Sequence, residues 1–143
     1  MLFQHVVVAY DGSNQSQKAL DQAAAIVSQN PGARLSIVHV YHLPNFVVGE
    51  ALVVAPVEVD MEAMAEAERI LDEAKARVAA LGNIGSELLQ GTPTTAILEY
   101  AERVQADLIV IGSRGLGTFK ELLLGSVSHY IVQHAKIAVL VTK

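Results

Sequence analysis

The sequence contains no cysteine and no tryptophan. Without cysteine there is no disulfide, no thiolate metal site and no cysteine nucleophile. Charged residues make up only 17% of the chain and aromatics only 5%. Basic residues are in deficit, with 10 Lys and Arg against 15 Asp and Glu, a formal net charge of −5. A phosphate-rich polymer would be repelled overall, so no nucleic-acid partner is expected. No apolar run approaches the roughly 18 residues of a membrane helix, so no membrane partner is expected either. Met1 to His5 carry no basic stretch and lead straight into an apolar segment, which makes the cytoplasm the expected location. Linkers, low-complexity tracts and short-period repeats are missing, and a single domain over 1–143 is expected.

What the sequence does have is an apolar majority. Hydrophobic residues make up 52% of 143 residues, enough for a packed core and too many for a disordered chain. They fall in alternating patterns. Residues 6–10, 35–41, 84–89, 107–111 and 137–141 are short runs dominated by apolar residues, as expected of strands buried in a sheet. Between them lie helical periodicities. Asn14, with Gln17 three residues on, reads as the cap of a first helix carrying Ala19, Leu20, Ala23, Ala24 and Val27, which Asn30-Pro31-Gly32 stops. In the second helix Met64, Ala67, Leu71, Ala74, Val78 and Leu81 form one stripe. Glu58, Asp60, Glu62 and Glu66 crowd its start, Lys75 and Arg77 its end, and Gly82 reads as its cap. Thr92-Pro93 opens a third helix whose buried face is Ile97, Tyr100, Ala101 and Val104. A short fourth spans 126–134. Residues 42–56, punctuated by Pro44, Gly49 and Pro56, read as a long, apolar loop: a flap over the core, a ligand lid or a partner contact.

Strand–helix alternation with short connections predicts an α/β fold, a parallel sheet with helices on both faces and right-handed crossovers. Ligands of open α/β sheets bind beyond the carboxyl ends of the strands. Two loops there carry candidate chemistry. Asp11-Gly12-Ser13 follows the first strand. Gly112-Ser113-Arg114-Gly115-Leu116-Gly117-Thr118 follows the fourth and runs on to Gly125-Ser126-Val127-Ser128, where the last helix begins. Glycines admit positive φ and close backbone approach. Successive free N–H groups form an anion nest, and a helix start adds unpaired N–H groups and a positive dipole end. Ser126 and Ser128 can donate to phosphate oxygens, and Arg114 and Lys120 can add charge. A plainer reading stands beside each: Asp11 as an Asx turn, Ser126 as a helix cap, a glycine as a turn. No Gly-Lys-Ser/Thr Walker ending occurs, and Gly115-Leu116-Gly117 lacks the third glycine of the dinucleotide fingerprint.

The spacing Gly112, two residues, Gly115, nine residues, Gly125-Ser126 resembles the ATP-binding signature of the universal stress protein family. The resemblance spans the chain. Val6-Val7-Val8-Ala9-Tyr10-Asp11-Gly12-Ser13 is similar to the family's opening strand, 106–115 to its fourth, and Gly91-Thr92-Pro93 to its turn into the third helix. It implies one three-layer domain with a five-stranded parallel sheet in the order 3-2-1-4-5, the adenine nucleotide alpha hydrolase-like arrangement. It also implies a homodimer formed by antiparallel pairing of the last strand, 137–141, an apolar edge otherwise open to uncontrolled pairing. Carried over by position, Ala9 and Asp11 lie beside the nucleotide and the Val40 backbone meets adenine. Gly112, Ser113 and Gly115 meet ribose and phosphate, Gly125, Ser126, Val127 and Ser128 hold the phosphates, and Ile111 and Arg114 are binding candidates with no contact assigned. Mg²⁺ is expected to bridge phosphate oxygens rather than sit in a protein cage.

Other candidates are weaker. His39 and His42 have no carboxylate or third ligand beside them and read as packing or surface. His129 and His134, five apart on one helix, do not face each other. The acidic start of the second helix reads as a solvated face. No nucleophile–base pair has sequence support. The expected function is a stress-response protein that binds ATP and regulates through it, with at most slow hydrolysis. The alternatives are an ATP-hydrolysing or adenylate-transferring enzyme and a dimeric module that binds no nucleotide. Adenylating relatives are expected to carry His-x-Gly-His or Ser-Gly-Gly-x-Asp-Ser, where this chain reads Tyr10-Asp11-Gly12-Ser13.

Overall fold

The computed structural model describes residues 3–41, 45–48, 51–54, 57–113 and 125–143, without the side chains of 45–48, 51–54 and 57–60. β1 (His5–Ala9) leads to α1 (Asn14–Ser28) and β2 (Arg34–Tyr41). A hairpin of β3 (Asn45–Val48) and β4 (Ala51–Val54) precedes α2 (Val57–Arg77). β5 (Ile84–Gln90), α3 (Pro93–Arg103), β6 (Leu108–Gly112), α4 (Ser126–His134) and β7 (Ala138–Thr142) complete the chain. The main sheet runs β5-β2-β1-β6-β7 with every pairing parallel. Counting its own strands, this is the order 3-2-1-4-5.

β1 sits at the centre, with Val6, Val7 and Val8 fully buried. Side chains alternate across a strand, so the run feeds two cores. Val6, Val8 and Tyr10 pack with Leu35 and Ile37 beneath Ala19, Leu20 and Ala23 of α1 and Leu71 and Ala74 of α2. Val7, Val38, Ile109 and Ile111 pack beneath Ile97, Tyr100 and Ala101 of α3 and Ile131 of α4. Two helices therefore cover each face, giving three layers. Each such valine stabilises the fold by about 1.5–3 kcal/mol relative to exposure.

Several boundaries differ from the sequence expectation, for local reasons. The expected loop 42–56 contains the antiparallel hairpin β3–β4, in which Phe46 pairs with Val53 and Val47 with Leu52. Its runs of Val, Leu and Phe are good strand formers, and positions 49 and 50 separate them. Pro44, Gly49 and Pro56 lie outside the described residues. Ser13, not Asn14, caps α1: its hydroxyl accepts from the Ser16 N–H at 3.2 Å, while Gln17 Nε2 donates to the Gly12 carbonyl. α2 ends at Arg77, before Gly82. Along its stripe Ala67, Leu71, Ala74 and Val78 are buried, but Met64 is exposed. Thr92 and Pro93 stand at the cap and first position of α3 as expected, although the Thr92 side chain makes no capping bond.

The end of α3 closes in a Schellman motif. Ala106 N–H donates to the Ala101 carbonyl and Gln105 N–H to that of Glu102, with Gln105 at φ 56°. β7 begins one residue later than expected and is an edge strand, paired among the described residues only to β6.

Candidate functional site

The carboxyl ends of β1, β2 and β6 meet the amino ends of α1, α3 and α4 around a cavity of about 410 Å³. Ten of the twelve residues expected to hold a ligand line it: Ala9, Asp11, Val40, Ile111, Gly112, Ser113, Gly125, Ser126, Val127 and Ser128. Arg114 and Gly115 lie outside the described residues, as do Lys120 and His42. Val38, Val40, Ile97, Ile111 and Val127 make much of the lining apolar. Such a surface suits a flat ring, with polar groups gathered towards the loops.

The two segments expected to hold phosphate are joined through one carbonyl. Ser113 oxygen accepts from Gly125 N–H at 2.6 Å and from Ser128 Oγ at 3.0 Å. Ser113 N–H donates in turn to the carbonyl of Thr142 at 2.7 Å. The strand end and the helix start are thereby one unit, anchored to β7. This changes the reading of Ser128. Its hydroxyl is buried and donates to the carbonyls of Ser113 and Gly125, so it braces the site instead of pointing a proton at a ligand. Ser126 is exposed on the first turn of α4, and among the described residues no side chain caps that helix. Its first-turn N–H groups have no partner among the described residues, and with the positive dipole end they can take an anion.

Gly112 serves a steric purpose. A Cβ there would stand 2.8 Å from Gln15 Cβ and 2.9 Å from the Gln15 carbonyl carbon. Only glycine lets the start of α1 lie this close to the end of β6. Gly12, at φ 85°, supplies the left-handed turn between β1 and α1.

Asp11 does form the Asx turn: its Oδ1 accepts from Ser13 N–H at 2.9 Å. It also lines the cavity, so both readings hold at one residue. Partial burial opposes its charge. Hydrogen bonds from the Ser13 hydroxyl and amide and from Ser16, with the nearby His39, prevail and hold its pKa below the ordinary carboxylate value.

His39 is buried, but it also stands on the cavity wall, which the sequence reading of it as packing or surface did not foresee. Its Nδ1 donates to the Tyr10 carbonyl at 2.8 Å. The Tyr10 hydroxyl donates to Glu73 of α2 at 2.8 Å, and burial, followed by Glu73, pushes its pKa up to about 12. His129 is exposed, and His134 Nδ1 donates to the Tyr130 carbonyl within α4.

Sequence reasoning missed Tyr10, Gln15, Ser16, Val38, His39, Pro93 and Ile97 as lining residues, and named Ser13 only as part of the candidate loop 11–13. Pro93 and Ile97 were legible as the first turn and buried face of a helix, though not as cavity wall. It also missed a serine–histidine contact. His5 Nε2 accepts from Ser36 Oγ at 2.7 Å, and His5 Nδ1 donates to the Val104 carbonyl at 3.1 Å. The pair is buried at the amino ends of the strands, opposite the cavity, and works as internal support. Burial first, then Arg34, lowers the His5 pKa against the opposing Val104 bond and Asp107.

Among the described residues no group of three or more His, Asp or Glu side chains could hold a metal ion, and no helix is long and apolar enough to cross a membrane.

Residues 2–143 match the model of the universal stress protein family. A universal stress protein of Thermus aquaticus is 38% identical over 143 residues, covering 99% of this chain and all of the relative. The solved structure of a universal stress protein, UspA, from Lactobacillus plantarum superposes with a TM-score of 0.84 at 26% identity, covering 100% of this chain and 99% of that one. A universal stress protein solved in complex with cAMP superposes at 0.75 and 32% identity, with coverage of 100% and 99%. Another, from Archaeoglobus fulgidus and in complex with dAMP, superposes at 0.73 and 25% identity, covering both chains fully. The matched model spans nearly the whole chain, and the sheet order agrees: the chain belongs to the universal stress protein family.

Proposed function

We propose that the cavity binds an adenine nucleotide, ATP with Mg²⁺, and that the chain is a cytoplasmic, nucleotide-dependent regulatory module. The observation that carries this reading is the joined anion site, Ser113–Gly125–Ser128 at the uncapped start of α4, beside an apolar slot formed by Val38, Val40 and Ile97. The slot takes the base, and the N–H groups of α4 take phosphate. Relatives solved with cAMP and dAMP support an adenine nucleotide in this fold. Mg²⁺ would be held by phosphate oxygens and water, with Asp11 the nearest carboxylate on the described wall.

The same site argues for slow hydrolysis at most. The Asp11 carboxylate is held below its ordinary pKa and already accepts hydrogen bonds, so it is a weak general base. A second reading, a nucleoside monophosphate or cyclic nucleotide, is favoured by those two relatives. Thermal unfolding with ATP, ADP, AMP and cAMP, each with and without Mg²⁺, separates them, because a ligand bound only by the native state raises its stability. The expected result is the largest rise with ATP and Mg²⁺. A largest rise with AMP or cAMP transfers the site to the second reading, and no rise with any of them removes the nucleotide. Turnover of ATP above about 1 s⁻¹ would make the protein an enzyme instead.

A further inference from the structure

Gln15 is the second residue of α1 and lines the cavity. Its main chain is pinned against Gly112, since a Cβ on that glycine would overlap the Gln15 carbonyl carbon at 2.9 Å. The side chain therefore departs from a fixed point at the junction of β1 and β6. Its Oε1 is buried and has no hydrogen-bond partner among the described residues. A buried acceptor left unpaired destabilises the ligand-free protein and calls for a donor from elsewhere.

We infer that the Gln15 side chain turns from this buried, unpaired position so that Oε1 accepts a hydrogen bond from a sugar hydroxyl of the bound nucleotide, and that Gln15 thereby selects ribonucleotides over deoxyribonucleotides. This rests on the nucleotide reading above. An amide oxygen only accepts. The donors of an adenine nucleotide are the base amino group and the sugar hydroxyls. The base slot lies over β2 and α3, at Val40 and Ile97, and the anion site lies at the start of α4. With strand order β2-β1-β6-β7, the sugar joining the two must cross the β1–β6 junction, where Gln15 stands.

The experiment is calorimetric titration of the wild-type chain, Gln15→Met and Gln15→Ala with ATP, 2′-deoxyATP and 3′-deoxyATP, all with Mg²⁺. The wild type should bind ATP about threefold to tenfold more tightly than at least one deoxy analogue, the span of one net hydrogen bond. Gln15→Met should bind ATP and that analogue equally, and its ligand-free Tm should be no lower than wild type, because the orphaned acceptor is gone. A purely structural role would lower the Tm and weaken all three ligands alike. Equal wild-type affinity for the three nucleotides overturns the sugar contact while leaving the nucleotide reading intact, as does discrimination that survives in either variant. No binding of any of the three overturns both.

Discussion

The residues that matter most here act through contacts far apart in sequence. Gly112 meets Gln15 across most of the chain, and the closeness of that contact is invisible in either local segment. Glycine at a strand end reads equally well as a turn, a phosphate contact or a steric necessity, and only the packed backbone separates these. Ser128 is similar: its place in a helix start suggests a phosphate donor, yet its proton goes to two carbonyls. The helix start at Gly125–Ser126 was legible because glycine and serine ahead of an apolar helical pattern have a local signature, whereas the absence of a side-chain cap among the described residues was not. Gln15 was not, because its importance depends on the approach of Gly112. A Gly112→Ala substitution tests this steric account. The added carbon must push α1 off β6 or distort the strand end, an overpacking penalty of about 1–3 kcal/mol. The expected outcome in urea unfolding is a lower midpoint with an unchanged slope. An unchanged midpoint would mean that α1 can retreat freely.

At the scale of elements, the apolar periodicities were read correctly because burial on both faces leaves a continuous signal, as in Val6 to Val8. The β3–β4 hairpin was not, because prolines flanking its short strands suggested a loop. The His5 support joins three elements: β1 through the ring, β2 through Ser36 and the residue after α3 through Val104. With Nδ1 donating and Nε2 accepting, the ring is neutral, and a second proton would displace the Ser36 bond. The folded pKa lies below the unfolded value of about 6.5, so between the two the unfolded chain binds more protons. The stabilisation is complete above about pH 6.5 and is lost as pH falls towards the folded pKa. One proton limits the slope to about 1.4 kcal/mol per pH unit. Urea midpoints measured from pH 7.5 to 5 should decline in the wild type and decline less in His5→Gln. Equal slopes would assign the acid sensitivity to other groups, since the lowered carboxyls of Asp11 and Asp21 lose their contribution only nearer pH 4.

At the scale of the whole molecule, the candidate site is linked to the open edge of the sheet. Ser113 accepts from Gly125 and Ser128 through its carbonyl and donates through its amide to Thr142, the last residue of β7. β7 is half-buried, pairs among the described residues with β6 alone, and is the strand through which the family resemblance implies a homodimer. An anion held by the α4 amides would pull on the same hydrogen-bonded unit that sets the position of Thr142. Nucleotide binding and strand pairing should then be coupled, and coupling between two binding equilibria is reciprocal. Sedimentation equilibrium with and without saturating ATP and Mg²⁺ measures it. The expected result is a mass twice that of the chain at high concentration, with a dimer dissociation constant that ATP shifts about fivefold or more, the lower range of allosteric coupling. ATP affinity, titrated on either side of that constant, should change by the same factor. A dimer whose constant ignores ATP would reduce the Ser113–Thr142 bond to a structural tie. A chain that stays monomeric throughout would leave β7 as a plain sheet edge.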